Sequence, residues 1–181
     1  LTLVFALSCG GSLYNVKPLS ALPPIPDSAP HADAGSLSIR AQPLLTDEES
    51  QEIFESNLQL AGLLPVRVEI LHHGGDTVDF RKVRFHLRDS GGAEWKLISN
   101  KQAIKHILKK NGVTVYNPGS RKTFEGEFRA YELDVRTPLT NEQKRQGILV
   151  FVAPKKQPVA SPHGLVLTIE GLPQPVTLNL N

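Results

Sequence analysis

Methionine is absent from the 181 residues, cysteine and tryptophan occur once each, and aromatic residues make up only 6% of the chain. Each scarcity excludes something. A single cysteine, Cys9, cannot form an internal disulfide, so this is not a disulfide-stapled fold. Electron-transfer copper sites need a cysteine, with a weak axial ligand that is often methionine. With no methionine and its cysteine at the N-terminal side, the chain does not read as a cupredoxin. The missing methionine also places the expected start of translation upstream of Leu1. Charge is nearly balanced at +2, too small to suggest nucleic acid as a partner of the whole molecule. No Gly-x-Ser-x-Gly elbow occurs, and no cysteine lies in the body of the chain to act as a nucleophile. No Gly-rich phosphate loop precedes a helix, so nucleotide-dependent chemistry has no support.

What is present begins with an apolar run, Leu1 to Leu7, followed by the small residues Ser8, Gly10 and Gly11. This order matches the apolar region and cleavage site of a secretory signal. Ala6-Leu7-Ser8-Cys9 resembles a bacterial lipoprotein lipobox. It departs from that motif, which favours leucine three before the cysteine and a small residue two before it; Ala6 and Leu7 stand there. The resemblance implies acylation of Cys9 and attachment to a membrane through that lipid. Because Gly10 rather than Asp follows, it also implies an outer-membrane lipoprotein of the bacterial envelope, facing the periplasm. Acylation gives a lone exported thiol its reason, and several acyl chains anchor firmly because each buried methylene adds about 0.8 kcal/mol. The alternative is an ordinary truncated signal with an incidental cysteine.

Residues 10–35 carry Pro18, Pro23, Pro24, Pro26 and Pro30 among Ser, Ala and Asp. Such a stretch buries little apolar surface and favours extended conformations. It reads as a semi-rigid tether, unless Leu19, Leu22 and Ile25 pack onto the body of the protein. Residues 1–9 are then residual signal and lipidation site, 10–35 the tether, and 36–181 a single domain by size.

Within that domain, period-2 alternation predicts strands. Leu37, Ile39 and Ala41 alternate with polar residues, as do Val66, Val68 and Ile70, and Val83, Phe85 and Leu87. Leu165 to Ile169 and Val176 to Leu180 supply two closing strands, and Gly147–Val152 is apolar on both faces, as a covered central strand should be. Thr46 with Glu49 forms a capping box that opens a helix, whose face of Phe54, Leu58 and Ala61 ends at Gly62. Ser99 with Gln102 opens a second, striped by Ala103, Ile104, Ile107 and Leu108 and stopped at Gly112. The Arg121–Val135 stretch fits either period; Gly126 weakens a helix there, and the expectation is mainly strand. The predicted fold is mainly β: an antiparallel immunoglobulin-like β-sandwich with two short inserted helices.

Thr46 to Ile70, with its Phe-Leu helix leading through Gly62 into a Pro65-Val66 strand, resembles a pattern in uncharacterised bacterial lipoproteins. Arg136-Thr-Pro138-Leu139 followed by Gly147-Ile-Leu-Val-Phe151 and Pro154 resembles the same proteins. His72-His73-Gly74 departs from the polar, Asn-containing turn usual there. The resemblance rests on caps, turns and core. It implies an immunoglobulin-like fold and brings no catalytic residue.

Candidate chemistry is sparse. His72, His73 and Asp76 are competent metal ligands, but adjacent strand residues point to opposite faces, so the plainer reading is a polar hairpin end and no metal or other cofactor is expected. His86 is a conceivable third ligand or an ordinary strand residue. Glu125, Glu127, Glu132 and Asp134 offer the carboxylate pair a glycosidase needs, or a solvated strand face. Lys101, Lys105 and Lys109 recur every four residues, joined by Lys110; Arg121-Lys122 and the group Arg81, Lys82, Arg84 and Arg88 add further basic residues. A single-sign stripe can hold an anionic surface such as lipid headgroups or acidic polysaccharide, or be a helix face whose cations suit its C-terminal dipole. The sequence therefore reads as a non-enzymatic, lipid-anchored envelope module that contacts another protein or an envelope polymer. The alternative is a metal-dependent or carboxylate-based envelope hydrolase.

Overall fold

The computed structural model describes residues 13–113, 117–158 and 160–181, so the apolar run and Cys9 lie outside the described residues. Among the described residues, eight antiparallel strands and three α-helices make the protein mainly β. The strands are β1 (His31–Ala34), β2 (Leu37–Pro43), β3 (Leu63–His72), β4 (Arg84–Arg88), β5 (Glu94–Ile98), β6 (Lys144–Val152), β7 (Val166–Glu170) and β8 (Val176–Asn179). The helices are α1 (Asp47–Phe54), α2 (Asn100–Lys110) and α3 (Pro118–Arg129). The strands form one sheet in the order β1-β2-β3-β6-β5-β4-β7-β8, and the edge strands β1 and β8 approach each other, so the sheet nearly closes. Its narrowest join is β4 to β5, where only Leu87–Trp95 and Arg88–Glu94 pair.

Strand alternation sorts the side chains into two cores. Leu37, Ile39, Val66, Val68, Ile70, Phe85, Leu87, Trp95, Phe151, Leu167 and Leu178 fill the interior of the curled sheet. The opposite face of β3, β5 and β6 presents Leu63, Ile98, Ile148, Val150 and Val152 to the helices, which cover it with Phe54, Ile104, Ile107, Phe124 and Phe128. β6 is therefore buried on both faces, as its doubly apolar sequence requires.

Both predicted capping boxes form: Thr46 Oγ1 accepts from the Glu49 amide at 3.2 Å, and Ser99 Oγ from Gln102 at 3.4 Å. α1 is shorter than its apolar spacing suggests. Glu55 takes a left-handed conformation and Asn57 Oδ1 accepts from the Leu60 amide at 2.7 Å, which turns the chain after Phe54. Leu58 and Ala61 reach the core from that turn rather than from the helix.

The expectation of mainly strand over Arg121–Val135, and with it the count of two helices, is corrected: α3 is a third helix. Asn117 Oδ1 caps it by accepting from the Gly119 and Ser120 amides, and Pro118 occupies the first turn, where its missing N–H costs nothing. Gly126 is exposed with open space around it, so its cost of about 1 kcal/mol is outweighed by burying Phe124 and Phe128 on one face. The strand period resumes after Arg129, where Tyr131 and Leu133 are buried and Glu132 bridges to Ile148.

The packed body also begins before Ser36. Leu13 to Pro30 form a strap over the helical side, and β1 continues the sheet. Lys17 N–H donates to Ile53 O at 2.8 Å, the Tyr131 hydroxyl donates to Lys17 O, and Arg67 donates to Pro23 O at 2.6 Å. Val16 and Ile25 are buried. Prolines do not prevent this, because the strap is tied to the body by the N–H groups of Leu13, Asn15 and Lys17 and by the carbonyls of Lys17, Pro23 and Pro30, none of which requires a proline N–H.

Asp134, in the turn after α3, accepts from the Arg136 and Thr137 amides at 2.8 and 3.1 Å. Hydrogen bonds from Thr137 and Arg136 pull its pKa from 3.8 down to about 2. A carboxyl depressed in the folded state adds stability that is present above its unfolded value and lost as pH falls towards the folded value. Asp134→Asn, which keeps the acceptor without the charge, is expected to lose less stability than the parent between pH 3.8 and about 2. Urea unfolding across that window measures it, and identical slopes for both proteins contradict the assignment.

Candidate anion-binding groove

Beside α2 lies a groove of about 610 Å3 built from three stretches of the chain. α2 supplies Lys105, His106, Lys109 and Lys110, which its period brings to one side. Lys96 comes from β5, Lys156 from the turn after β6, and Ile98 and Val152 form a nearly buried apolar floor between them. Lys96 pairs directly with Val152 across the β5–β6 ladder, which fixes the strand side.

Among the described residues no carboxylate lines the groove and none of its five lysines has an ion pair. Elsewhere the basic residues singled out in the sequence are partly neutralised. Arg81 pairs with Asp79 at 2.7 Å, and Arg121 and Arg129 both pair with Glu125, at 2.5 and 3.2 Å. The field inside the groove acts on His106. Burial, then the nearby positive charges of Lys156, Lys109 and Lys110, push its pKa below the usual value, while a hydrogen bond with the Ala61 backbone opposes them. The helix dipole accounts for cations in the last turn of α2; it does not account for Lys96 or Lys156, which lie on other elements.

The turn carrying Lys156 has an unusual backbone. Lys155 and Lys156 are both left-handed, with φ of 61° and 55°, a region that costs a non-glycine residue about 1–2 kcal/mol. Two hydrogen bonds hold it: Ala153 N–H to Gly62 O at 2.8 Å and Lys156 N–H to Ala153 O at 2.9 Å. Gly62 has φ +70°, and a Cβ there would lie 3.2 Å from Gln157 O and 3.3 Å from Lys156 C. Gly62→Ala is expected to cost about 1–2 kcal/mol from the left-handed backbone alone, and to push the lysine turn outwards. Denaturant unfolding reads the first effect; an unchanged unfolding midpoint contradicts it.

The other candidates fall elsewhere. His72 is fully buried, its Nε2 at 3.0 Å from Ser36 Oγ, whereas His73 is exposed, its Nε2 at 2.8 Å from Ser38 Oγ. Strand alternation thus sends the two imidazoles to opposite faces, as their adjacency in β3 and the residue after it demands. Asp76 is exposed in the following turn. Among the described residues no group of three or more His, Cys, Asp or Glu side chains could hold a metal ion. His86 lies between Glu94 and Glu170, at 3.3 and 3.8 Å. Glu125 and Glu127 are on α3, not on a strand facing Glu132 and Asp134, and Glu125 is held by its two arginines.

Of the four lysines marked in the sequence, the groove gathers Lys105, Lys109 and Lys110; Lys101 lies in the first turn of α2 and does not line it. Lys96, Lys156 and His106 were missed. Lys96 had a legible signal, its outward place beside inward Trp95; Lys156 had none, since only the turn after β6 brings it back to α2.

No protein-family model matches the chain, and no curated protein matches it. Among solved structures, the crystal structure of the yjhA protein from Bacillus subtilis aligns with 76% of this chain and 75% of its own, at 12% identity and a TM-score of 0.38.

Proposed function

We propose that the protein is a lipid-anchored component of the bacterial envelope whose β domain is a non-enzymatic contact module for an anionic partner. The observation that supports contact is the groove: lysines from β5, α2 and the turn after β6 converge, and among the described residues neither a lining carboxylate nor an ion pair neutralises them. Such an arrangement is costly for the free protein and favourable once an anion enters. The anchor rests on Ala6-Leu7-Ser8-Cys9, with its outer-membrane, periplasm-facing sorting implied by Gly10. We read the sheet as an immunoglobulin-like sandwich, its layers β1-β2-β3-β6-β5 and β4-β7-β8 joined through the two-pair contact of β4 with β5. Among the described residues no helix is long and apolar enough to cross a membrane.

Two measurements test the proposal. In an exporting bacterial host, a clickable fatty acid is expected to label the protein and to leave Cys9→Ser unlabelled and released from the membrane fraction. Polyphosphate, as a soluble polyanion, is expected to bind the full chain and to bind weakly once Lys105, Lys109 and Lys156 are replaced by glutamine. Absence of label removes the anchor; polyphosphate binding insensitive to those lysines removes the contact surface.

A further inference from the structure

We propose that the lysine groove seats phosphate headgroups of an anionic phospholipid bilayer, so that the domain lies against the membrane beside its own N-terminal attachment. This rests on reading the groove as a contact surface and adds the class of partner. Three observations select a bilayer.

The first is place. The strap starts near the C-terminal end of α2, the helix along which the groove runs. Leu13 N–H donates to Ser120 O at 3.4 Å, Tyr14 stacks edge-on against Phe124 at 5.0 Å, and Tyr14 and Asn111 line one small hollow. Asn111 directly follows Lys109 and Lys110 of the groove. Cys9 precedes Leu13 by four residues, a reach of at most about 14 Å. An acyl chain on Cys9 therefore keeps the last turn of α2, with Lys109 and Lys110, within short reach of the bilayer.

The second is the chemistry of the cations. All five are lysines, mobile point charges without the planar fork with which arginine grips one fixed phosphate or carboxylate. They suit headgroups that move in a plane. The third is the company they keep: Ile98 and Val152 form a nearly buried floor under the lysines, so the apolar wall open to the glycerol region is that of the lysine stems, which are of little use to a fully hydrated polysaccharide. Energetically a cluster of this kind supplements a lipid, since a basic residue near an anionic surface contributes about 1 kcal/mol and one acyl chain alone gives marginal binding.

The test uses the full chain carrying Cys9→Ser, which isolates the groove from the lipid. Co-sedimentation with vesicles of phosphatidylglycerol in phosphatidylcholine is expected, with little binding to phosphatidylcholine alone and a steep loss as salt is raised. Lys105→Glu, Lys109→Glu and Lys156→Glu together are expected to weaken vesicle binding about a hundredfold or more. Lys82→Glu, Arg88→Glu and Lys122→Glu, an equal change of net charge outside the groove, are expected to weaken it far less. Circular dichroism checks that both variants are folded, and the lysine-to-glutamine triple substitutes if the reversal is not. Equal loss in the two triples, no loss in either, or equal binding to both vesicle types overturns the inference. Groove-dependent binding of polyphosphate without binding to vesicles also overturns it while leaving the anionic contact surface intact; binding of neither removes both.

Discussion

Gly147→Ala is expected to destabilise the protein by about 3 kcal/mol or more, at the upper end of what overpacking costs. Gly147 sits in β6, opposite Val68 of β3, under the segment that follows α3. A Cβ there would lie 2.5 Å from Leu133 Cα, 2.7 Å from Leu133 N and 2.9 Å from Leu133 Cβ. The obstacle is backbone, so no rotamer change relieves it. Nor can the segment retreat freely: Ile148 N–H donates to Tyr131 O at 2.6 Å, Glu132 bridges to Ile148, and Leu133 is buried in the interior core. Guanidinium unfolding with an unchanged slope measures the loss. A change within about 0.5 kcal/mol, the range of ordinary surface substitutions, shows that the segment does not press on β6.

Phe54→Ala is expected to cost about 3–5 kcal/mol, the range for removing a buried phenylalanine. Phe54 is fully buried at the end of α1, its ring 5.0 Å from Phe128 and 5.2 Å from Tyr131. Phe128 lies 5.8 Å from Phe124, which meets Tyr14 of the strap at 5.0 Å. One aromatic chain thus ties α1, α3 and the strap together over the outer face of the sheet. Tyr131 fastens its end through the bond to Lys17 O; burial, opposed by nearby Arg67, pushes this phenol up to about 12. Loosening Phe54 should therefore free the strap as well as α1. Hydrogen exchange at the Lys17 amide, which donates to Ile53 O, is expected to accelerate along with the loss of global stability. Full protection at Lys17 with a normal unfolding midpoint contradicts this coupling. It would also separate the strap, and with it the approach to the membrane proposed above, from the helical layer.

The misreadings follow from what each element depends on. β1 reads His-Ala-Asp-Ala and has almost no apolar pattern, because an edge strand is held by its backbone pairing with β2. β5 escaped because Leu97 and Ile98 break its alternation, and Leu97 is half-exposed where β4 and β5 part. In the Arg121–Val135 stretch both periods are real and succeed each other, a helix to Arg129 and then an extended run with Tyr131 and Leu133 buried. Only the exposure of Gly126 shows which governs the first half.

The sequence by itself determined whatever depends on neighbours along the chain. The capping boxes at Thr46 and Ser99, the inward parity of β2, β3, β4, β7 and β8, and the double burial of β6 all follow from spacing within a few residues. It also determined the opposed sides of His72 and His73, and the recurrence of Lys105 and Lys109 on one helical face. The tertiary structure alone decided that the proline-rich segment packs as a strap, because the surface it covers is assembled from α1, β3 and Tyr131. It alone decided that Lys96 and Lys156 join the α2 lysines, because β5 is set beside β6 by long-range pairing and the left-handed turn after β6 leads back to the helix. A charge stripe is a property of one helix; a groove needs walls, and those are supplied by residues distant in sequence.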